Sequence, residues 1–247
     1  MSATRQTLAR RALSCLDLTD LSDDHAAAEA EAVTSRARTA FGPVAAVCLW
    51  PEFVAMAARQ LQGSGIRVAT VVNFPDGGEE IGRTTRQTRQ AVRDGADEID
   101  LVIPWRALQQ GRDETVRDMI SAVRQEIPVG LRLKTILETG ELADPAAISR
   151  ASDIAIAAGA DFLKTSTGKT KISATPQAAR IMLARIAASG RTVGFKASGG
   201  VRTLDDAAVY LDLADEIFGL GNVGPHNFRF GASGLLNALL SELAAAA

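Results

Sequence analysis

Three observations predict an α/β fold of the TIM (β/α)8 barrel type. Short β-rich runs alternate with alanine-rich amphipathic stretches along the whole chain, there are eight such runs, and 247 residues is the length that eight β-then-α units require. A doubly wound open sheet is the alternative, but it uses fewer strands, and no G-x-G-x-x-G follows the first run. No linker-like Pro/Ser/Gly run divides the chain, so residues 1–247 are read as a single barrel domain.

The strand candidates, in order, are CLDLT (15–19), AAVCLW (45–50), RVATVVNF (67–74), EIDLVIP (98–104), LRLKTIL (131–137), DFLKTST (161–167), TVGFKAS (192–198) and EIFGLG (216–221). Each is short and rich in β-branched, aromatic or other apolar residues. Helix signals lie between them. Pro51 opens one helix, Asp144 and Pro145 stand as N-cap and first residue of another with Gly159 beyond its end, and Thr175 with Pro176 opens a third that stops at Gly190. Thr203 with Asp206 has the spacing of a capping box.

A weak repeat supports the barrel. GADEID (95–100), GADFLK (159–164) and LADEIF (213–218) each place an Ala-Asp turn between a helix end and a strand, which assigns them to strands four, six and eight. Three residues beyond each turn aspartate lies an equivalent strand position, held by Asp100, Lys164 and Phe218. Because alternate strands of a barrel contribute one layer of inward side chains, Asp100 and Lys164 are expected to share a layer. Strand alternation agrees: Ile99, Leu101 and Ile103 face the helices when Asp100 points inward.

The bulk composition excludes several function classes. A formal net charge of −2 with both signs dispersed gives no nucleic-acid footprint and no polybasic membrane patch. The longest apolar runs fall far short of the roughly 18 residues of a membrane span, and the first fifteen residues lack a signal-peptide core. Cys15 and Cys48 form no spaced metal motif or disulfide framework, which suits a reducing cytoplasm. His25 and His226, far apart in the sequence, read as surface or loop imidazoles, so a His-rich zinc site is not expected and metal-dependent carbon–carbon lyases lose ground.

Lysine use is the sharpest signal. The 27 basic residues include only five lysines, Lys134, Lys164, Lys169, Lys171 and Lys196, and three of them fall within DFLKTSTGKTK (161–171). Ordinary surface charge in this chain is arginine. An ammonium can lose its proton when desolvated and become a nucleophile, whereas a guanidinium cannot. An inward lysine in a barrel is expensive unless paired or neutralised, so Lys164 is expected to be functional or salt-bridged. Lys196 shares a strand face with Gly194 and Ser198 and is expected inward as well. Two lysines near the single carboxylate of Asp100 would depress one amine toward neutrality, as Schiff-base chemistry on a carbonyl requires. The other reading is a buried ion network that only fixes the barrel. Lys134 is open between support and catalysis, and Lys171 reads as a solvated loop charge.

The loops point to an anionic ligand. TSTGKTK after strand six, SGGVRT after strand seven and RFGASGLL near the end expose glycine amides at turns and helix starts, where anions bind, and barrels commonly seat a phosphate at the loops after strands seven and eight. Gly199, Gly200, Ser233 and Gly234 are the phosphate candidates, with Gly168 and Lys169 facing them.

ADEIDLVIPWRAL, LKTILETGEL, GADFLKTSTGK, VGFKASGGVRT and RFGAS together resemble the deoxyribose-phosphate aldolases, class I aldolases that make and cleave 2-deoxyribose 5-phosphate. The likeness runs in order from LDLTDL (16–21) to GASGLL (231–236). It implies a metal-independent, cofactor-free barrel enzyme acting on a small sugar phosphate and aldehydes, with no nucleic-acid or membrane partner, assembled as a homo-oligomer with a dimer favoured. It places the Schiff-base lysine at Lys164, the second active-site lysine at Lys196 and the proton-relay aspartate at Asp100. Cys48 matches a pocket cysteine of some members that is not the nucleophile; by residue type alone it is a small packed thiol. Two positions depart from the resemblance. Some members carry a second serine where this chain has Gly234. Some also end in a tail with a terminal tyrosine, whereas this chain ends SELAAAA and its one tyrosine, Tyr210, lies in a predicted helix. A transaldolase, or a barrel that binds sugar phosphate without chemistry, are the alternatives.

Overall fold

In a computed structural model, which describes residues 4–24 and 26–245, eight parallel strands close into a barrel. They are β1 (Leu16–Asp20), β2 (Ala46–Leu49), β3 (Arg67–Val72), β4 (Glu98–Val102), β5 (Arg132–Ile136), β6 (Phe162–Lys164), β7 (Gly194–Ser198) and β8 (Phe228–Ala232). Each pairs with its sequence neighbours, and β8 returns to β1 with Leu16 opposite Phe230 and Leu18 opposite Ala232. Closure leaves no unpaired sheet edge. A short antiparallel ribbon, Arg38–Thr39 against Gly42–Pro43, lies outside the barrel.

The strands alternate as period two demands. Ile99, Leu101, Leu133, Leu163, Phe195, Phe228 and Phe230 are fully buried in the main apolar core that the strands share with the helices. Burying each such side chain contributes about 1.5–3 kcal/mol. The intervening positions carry the charges described below.

Eleven helices are present among the described residues: α1 (Arg5–Ser14), α2 (Ala27–Arg36), α3 (Val54–Gln60), α4 (Ile81–Arg93), α5 (Trp105–Gln109), α6 (Asp113–Gln125), α7 (Thr139–Leu142), α8 (Pro145–Ala157), α9 (Pro176–Ser189), α10 (Leu204–Phe218) and α11 (Leu235–Ala244). The expected boundary chemistry is in place. The Asp144 carboxylate accepts from the amides of Ala146 and Ala147, Thr175 accepts from Ala178, and Thr203 and Asp206 form a reciprocal capping box. Pro51 opens a three-residue 3-10 turn that leads into α3. Gly190 closes α9 at φ 64°, where a Cβ would be strained.

The Ala-Asp repeat has a physical meaning in two of its three copies. Asp97 accepts from the Val68 amide at 2.9 Å and Asp161 from the Leu133 amide at 2.7 Å, so each turn carboxylate caps the start of the preceding strand. The third copy is a correction. Residues 213–218 belong to α10, Phe218 is its last residue, and Asp215 pairs with Arg11 of α1 at 2.8 Å. The eighth strand is therefore not 216–221 but Phe228–Ala232. The capping box starts α10 firmly and its buried stripe of Leu204, Ala207, Leu211 and Ala214 carries the helix through EIF, while FRFGA concealed its strand character by placing a charge and a glycine on its inner face. His226 is exposed in the loop before β8, and His25 lies outside the described residues.

Candidate active site

Period-two alternation sends Asp17 of β1, Glu98 and Asp100 of β4, Lys134 of β5, Lys164 of β6, Lys196 of β7 and Arg229 of β8 into the barrel, none more than 2% exposed. Lone charges there would cost several kcal/mol each, and the side chains form one continuous network instead. Lys164 Nζ donates to Asp100 Oδ2 at 2.8 Å. Lys196 Nζ donates to the same oxygen at 2.9 Å and to Asp17 Oδ2 at 2.6 Å. Lys134 Nζ donates to Asp100 Oδ1 at 2.8 Å and stands 2.6 Å from Glu98 Oε2. Arg229 closes the network on Asp17 Oδ1 at 2.5 Å and on Glu98 Oε1 at 2.8 Å.

Four cationic side chains thus share three carboxylates, and the network is neutral only when one amine is unprotonated. The amine whose proton affinity is lowered is Lys164. Burial lowers its proton affinity, Asp100 opposes that, and the charge of Lys196 adds to the lowering. Burial also works against the Lys196 and Lys134 ammoniums, but Lys196 has both Asp100 and Asp17, Lys134 has both Asp100 and Glu98, and both are held above the ordinary lysine value. Burial pushes the Asp100 carboxyl up, yet three lysines outweigh it and hold the group well below the usual carboxylate range. An amine of lowered proton affinity beside a carboxylate and an ammonium is an arrangement suited to attack on a carbonyl followed by proton transfer.

Above the lysines, at the C-terminal ends of the strands, opens a cavity of about 460 Å³. Gly168, Lys169, Gly199, Gly200, Ser233 and Gly234 all line it, so the structure brings together the six loop residues singled out in the sequence. Gly234 stands at the start of α11 with no side chain capping the helix. Lys169 Nζ reaches across to Asp23 at 2.5 Å, joining the loop after β6 to the loop after β1. The cavity meets the lysine layer at Gly231, where an added Cβ would lie 2.9 Å from Lys196 Cε and 2.7 Å from Ser198 Oγ. Only glycine leaves that approach open.

Cys48 is fully buried on β2 with Leu21, Ala69 and Val71 and is not among the residues lining the cavity; burial pushes its thiol up. Lys171 is exposed on the loop, and Tyr210 is buried in α10. Asp17, Glu98 and Arg229 escaped the sequence reading, although each lies two residues from another inward position and period two could have found them. Glu138 also escaped. It is fully buried at φ 55°, and its carboxylate accepts from the Thr167 hydroxyl at 2.5 Å, from the Thr167 amide at 3.3 Å and from the Thr170 hydroxyl at 3.3 Å. Burial pushes Glu138 up, against the Thr167 and Thr170 hydrogen bonds and the Lys164 charge. Among the described residues no cluster of His, Cys, Asp or Glu is arranged to hold a metal ion, and no helix is long and apolar enough to cross a membrane.

Comparison with known proteins agrees with this geometry. Residues 11–240 match the description of the DeoC/LacD family aldolases. The chain is 50% identical over 233 residues to a deoxyribose-phosphate aldolase of Agrobacterium fabrum, covering 94% of this chain and 90% of that protein. Among solved structures, the apo-form of a candidate deoxyribose-phosphate aldolase from Toxoplasma gondii superposes with a TM-score of 0.89 at 27% identity, over 98% of this chain and 97% of that one. A tetrameric deoxyribose phosphate aldolase from Aeropyrum pernix gives a TM-score of 0.76 at 25% identity, over 96% and 92% of the two chains. Matched over nearly its whole length, and half identical to a curated relative, the chain belongs to the DeoC/LacD family of aldolases.

Proposed function

We propose that this protein is a deoxyribose-phosphate aldolase that reversibly splits 2-deoxy-D-ribose 5-phosphate into acetaldehyde and D-glyceraldehyde 3-phosphate through a Schiff base on Lys164, without a metal, in deoxyribose breakdown. The observation that carries the reading is the surplus cation. Of the four buried cations around three carboxylates, Lys164 alone has a lowered proton affinity, and it lies beneath the cavity whose loops suit a phosphate.

In this reading the unprotonated Lys164 adds to the C1 aldehyde of the open-chain sugar, and loss of water leaves an iminium. Asp100, 2.8 Å from the nitrogen, is placed to balance the new positive charge. Acetaldehyde carries C1 and C2, so the bond that breaks is C2–C3. Its electron pair flows into the iminium to form an enamine, while the C3 hydroxyl surrenders its proton and becomes the aldehyde of glyceraldehyde 3-phosphate. Protonation of the enamine at C2 and addition of water then release acetaldehyde and restore the amine. Asp100, acting through a water, relays these protons, and Lys196 stays charged beside Lys164. Gly199, Gly200, Ser233 and Gly234, with Gly168 and Lys169 opposite, hold the phosphate, so binding of a non-reacting group positions the reacting carbon. Cys48, packed on β2 within reach of the charges of Lys196, Asp100 and Lys164, stays a protonated thiol and takes no part in the bond changes. The whole chain acts as one domain, in the cytoplasm, as a homo-oligomer with a dimer favoured.

The test is reduction with borohydride in the presence of acetaldehyde, followed by mass mapping. An ethyl adduct on Lys164 alone is expected, and none in Lys164→Ala. An adduct on another lysine, or turnover surviving in Lys164→Ala, overturns the reading.

A further inference from the structure

The barrel has a second cavity, of about 410 Å³, at the opposite, N-terminal mouth. Three strands that alternate inward place an arginine there: Arg67 starts β3, Arg132 starts β5, and Arg229, two residues before Gly231 on β8, forms the floor. Arg10 of α1 stands at the rim, where its guanidinium lies 6.0 Å from the centre of the Phe41 ring. His226 adds an imidazole. No aspartate or glutamate lines this cavity, in a chain whose formal net charge is −2.

The positive charge is only partly answered from outside. Arg229 is engaged below by Asp17 and Glu98, and Arg67 meets Asp97 at 3.3 Å. Among the described residues neither Arg10 nor Arg132 has a carboxylate partner. Arg132 makes two long hydrogen bonds of 3.4 Å, to the carbonyl oxygens of Pro225 and His226, and its guanidinium lies 5.4 Å from the centre of the Phe162 ring. A guanidinium carries five N–H donors in a planar fork, so both side chains retain donors for a ligand. A concave cavity with low-dielectric walls and charge of one sign concentrates that potential on whatever enters.

Stability of the barrel accounts for Arg229, which bridges two buried carboxylates. It does not account for Arg10 and Arg132, which bridge none. We propose that the N-terminal mouth is a binding site for a small polyanion, a phosphate ester or a polycarboxylate, held by Arg10, Arg67 and Arg132. The cavity is of a size to take a ligand of several carbons or a two-phosphate unit. It is separate from the cavity at the C-terminal mouth, since the two share no lining residue and the charged layer lies between them.

The experiment is calorimetric titration of the full-length protein with inorganic pyrophosphate and, separately, with tricarballylate. Wild type is expected to bind at least one of them at this mouth. The Arg10→Ala/Arg132→Ala variant should lose that binding event or weaken it roughly tenfold, as removal of charge-assisted hydrogen bonds implies. Arg10→Ala alone changes an exposed side chain of α1, cannot disturb the barrel, and should weaken it about threefold. Aldol cleavage by Arg10→Ala should be unchanged, which separates this mouth from the phosphate loops at the other. Tighter pyrophosphate identifies a phosphate ligand, and tighter tricarballylate a carboxylate; either supports the site. Absence of binding in wild type, or isotherms for both variants that superpose on it, overturns the proposal.

Discussion

Lys164 and Lys196 stand opposite each other on adjacent strands and donate to one oxygen, Asp100 Oδ2, at 2.8 and 2.9 Å. The two amines share a carboxylate, but proton affinity is lowered at Lys164 and raised at Lys196. Lys196 has a second carboxylate, Asp17, and Lys164 has none, and this asymmetry of partners sets the proton affinities of the two amines apart.

Replacing Lys196 tests that asymmetry. In Lys196→Leu the like charge beside Lys164 is gone while Asp100 remains, so the Lys164 amine regains proton affinity. Because the reactive form is the unprotonated one, the acidic limb of the pH profile of kcat/KM should move to higher pH, and activity near pH 7 should fall by roughly tenfold or more for a shift of one unit. A rate profile from pH 5 to 10 reads this directly. An acidic limb that stays in place would assign Lys196 another role.

The lowered proton affinity of Lys164 implies strain on the fold. Its folded value lies below its unfolded one, so between the two the unfolded chain binds more protons, and the group detracts from stability at neutral pH by an amount that shrinks as pH rises. Lys164→Met should therefore be inactive and more stable, with Tm raised by about 2–4 °C. Asp100 keeps Lys134 and Lys196 as partners. Thermal melts at pH 7 and pH 10 check this, and the gain should be smaller at pH 10.

Gly231→Ala probes the junction of cavity and lysine layer. Its Cβ would meet Ser198 Oγ at 2.7 Å and Lys196 Cε at 2.9 Å, so the ammonium must shift. A displacement of a few tenths of an ångström in a preorganised site should lower kcat by about tenfold or more. Steady-state kinetics alongside a melting curve separates this from loss of fold.

Glu138 holds the loop after β6 through Thr167 and Thr170. Glu138→Gln retains the shape but weakens acceptance from both, so the loop carrying Gly168 and Lys169 should loosen. The expectation is a KM for the sugar phosphate raised by roughly three- to tenfold, with a smaller change in kcat. A fall in kcat alone would point instead to a direct part in proton transfer.

The sequence by itself determined the rhythm of the fold and the inward placement of its central charges. Seven of the eight strands, the capped starts of α8, α9 and α10, and the inward placement of Asp100, Lys164 and Lys196 follow from local patterns of period two and of helix ends, which a linear chain displays. A scarcity of lysine drew the eye to lysines that the structure buries inside the barrel. Tertiary structure alone decided what those patterns could not carry. The eighth strand was misplaced because EIF continues a helical stripe and FRFGA hides a charge on its inner face. The carboxylate count around the lysines depended on Asp17, Glu98 and Arg229, which come from three strands as far apart as residues 17 and 229 and meet only when β8 closes on β1. A proton affinity belongs to a set of neighbours, and closure of the barrel is what assembles that set.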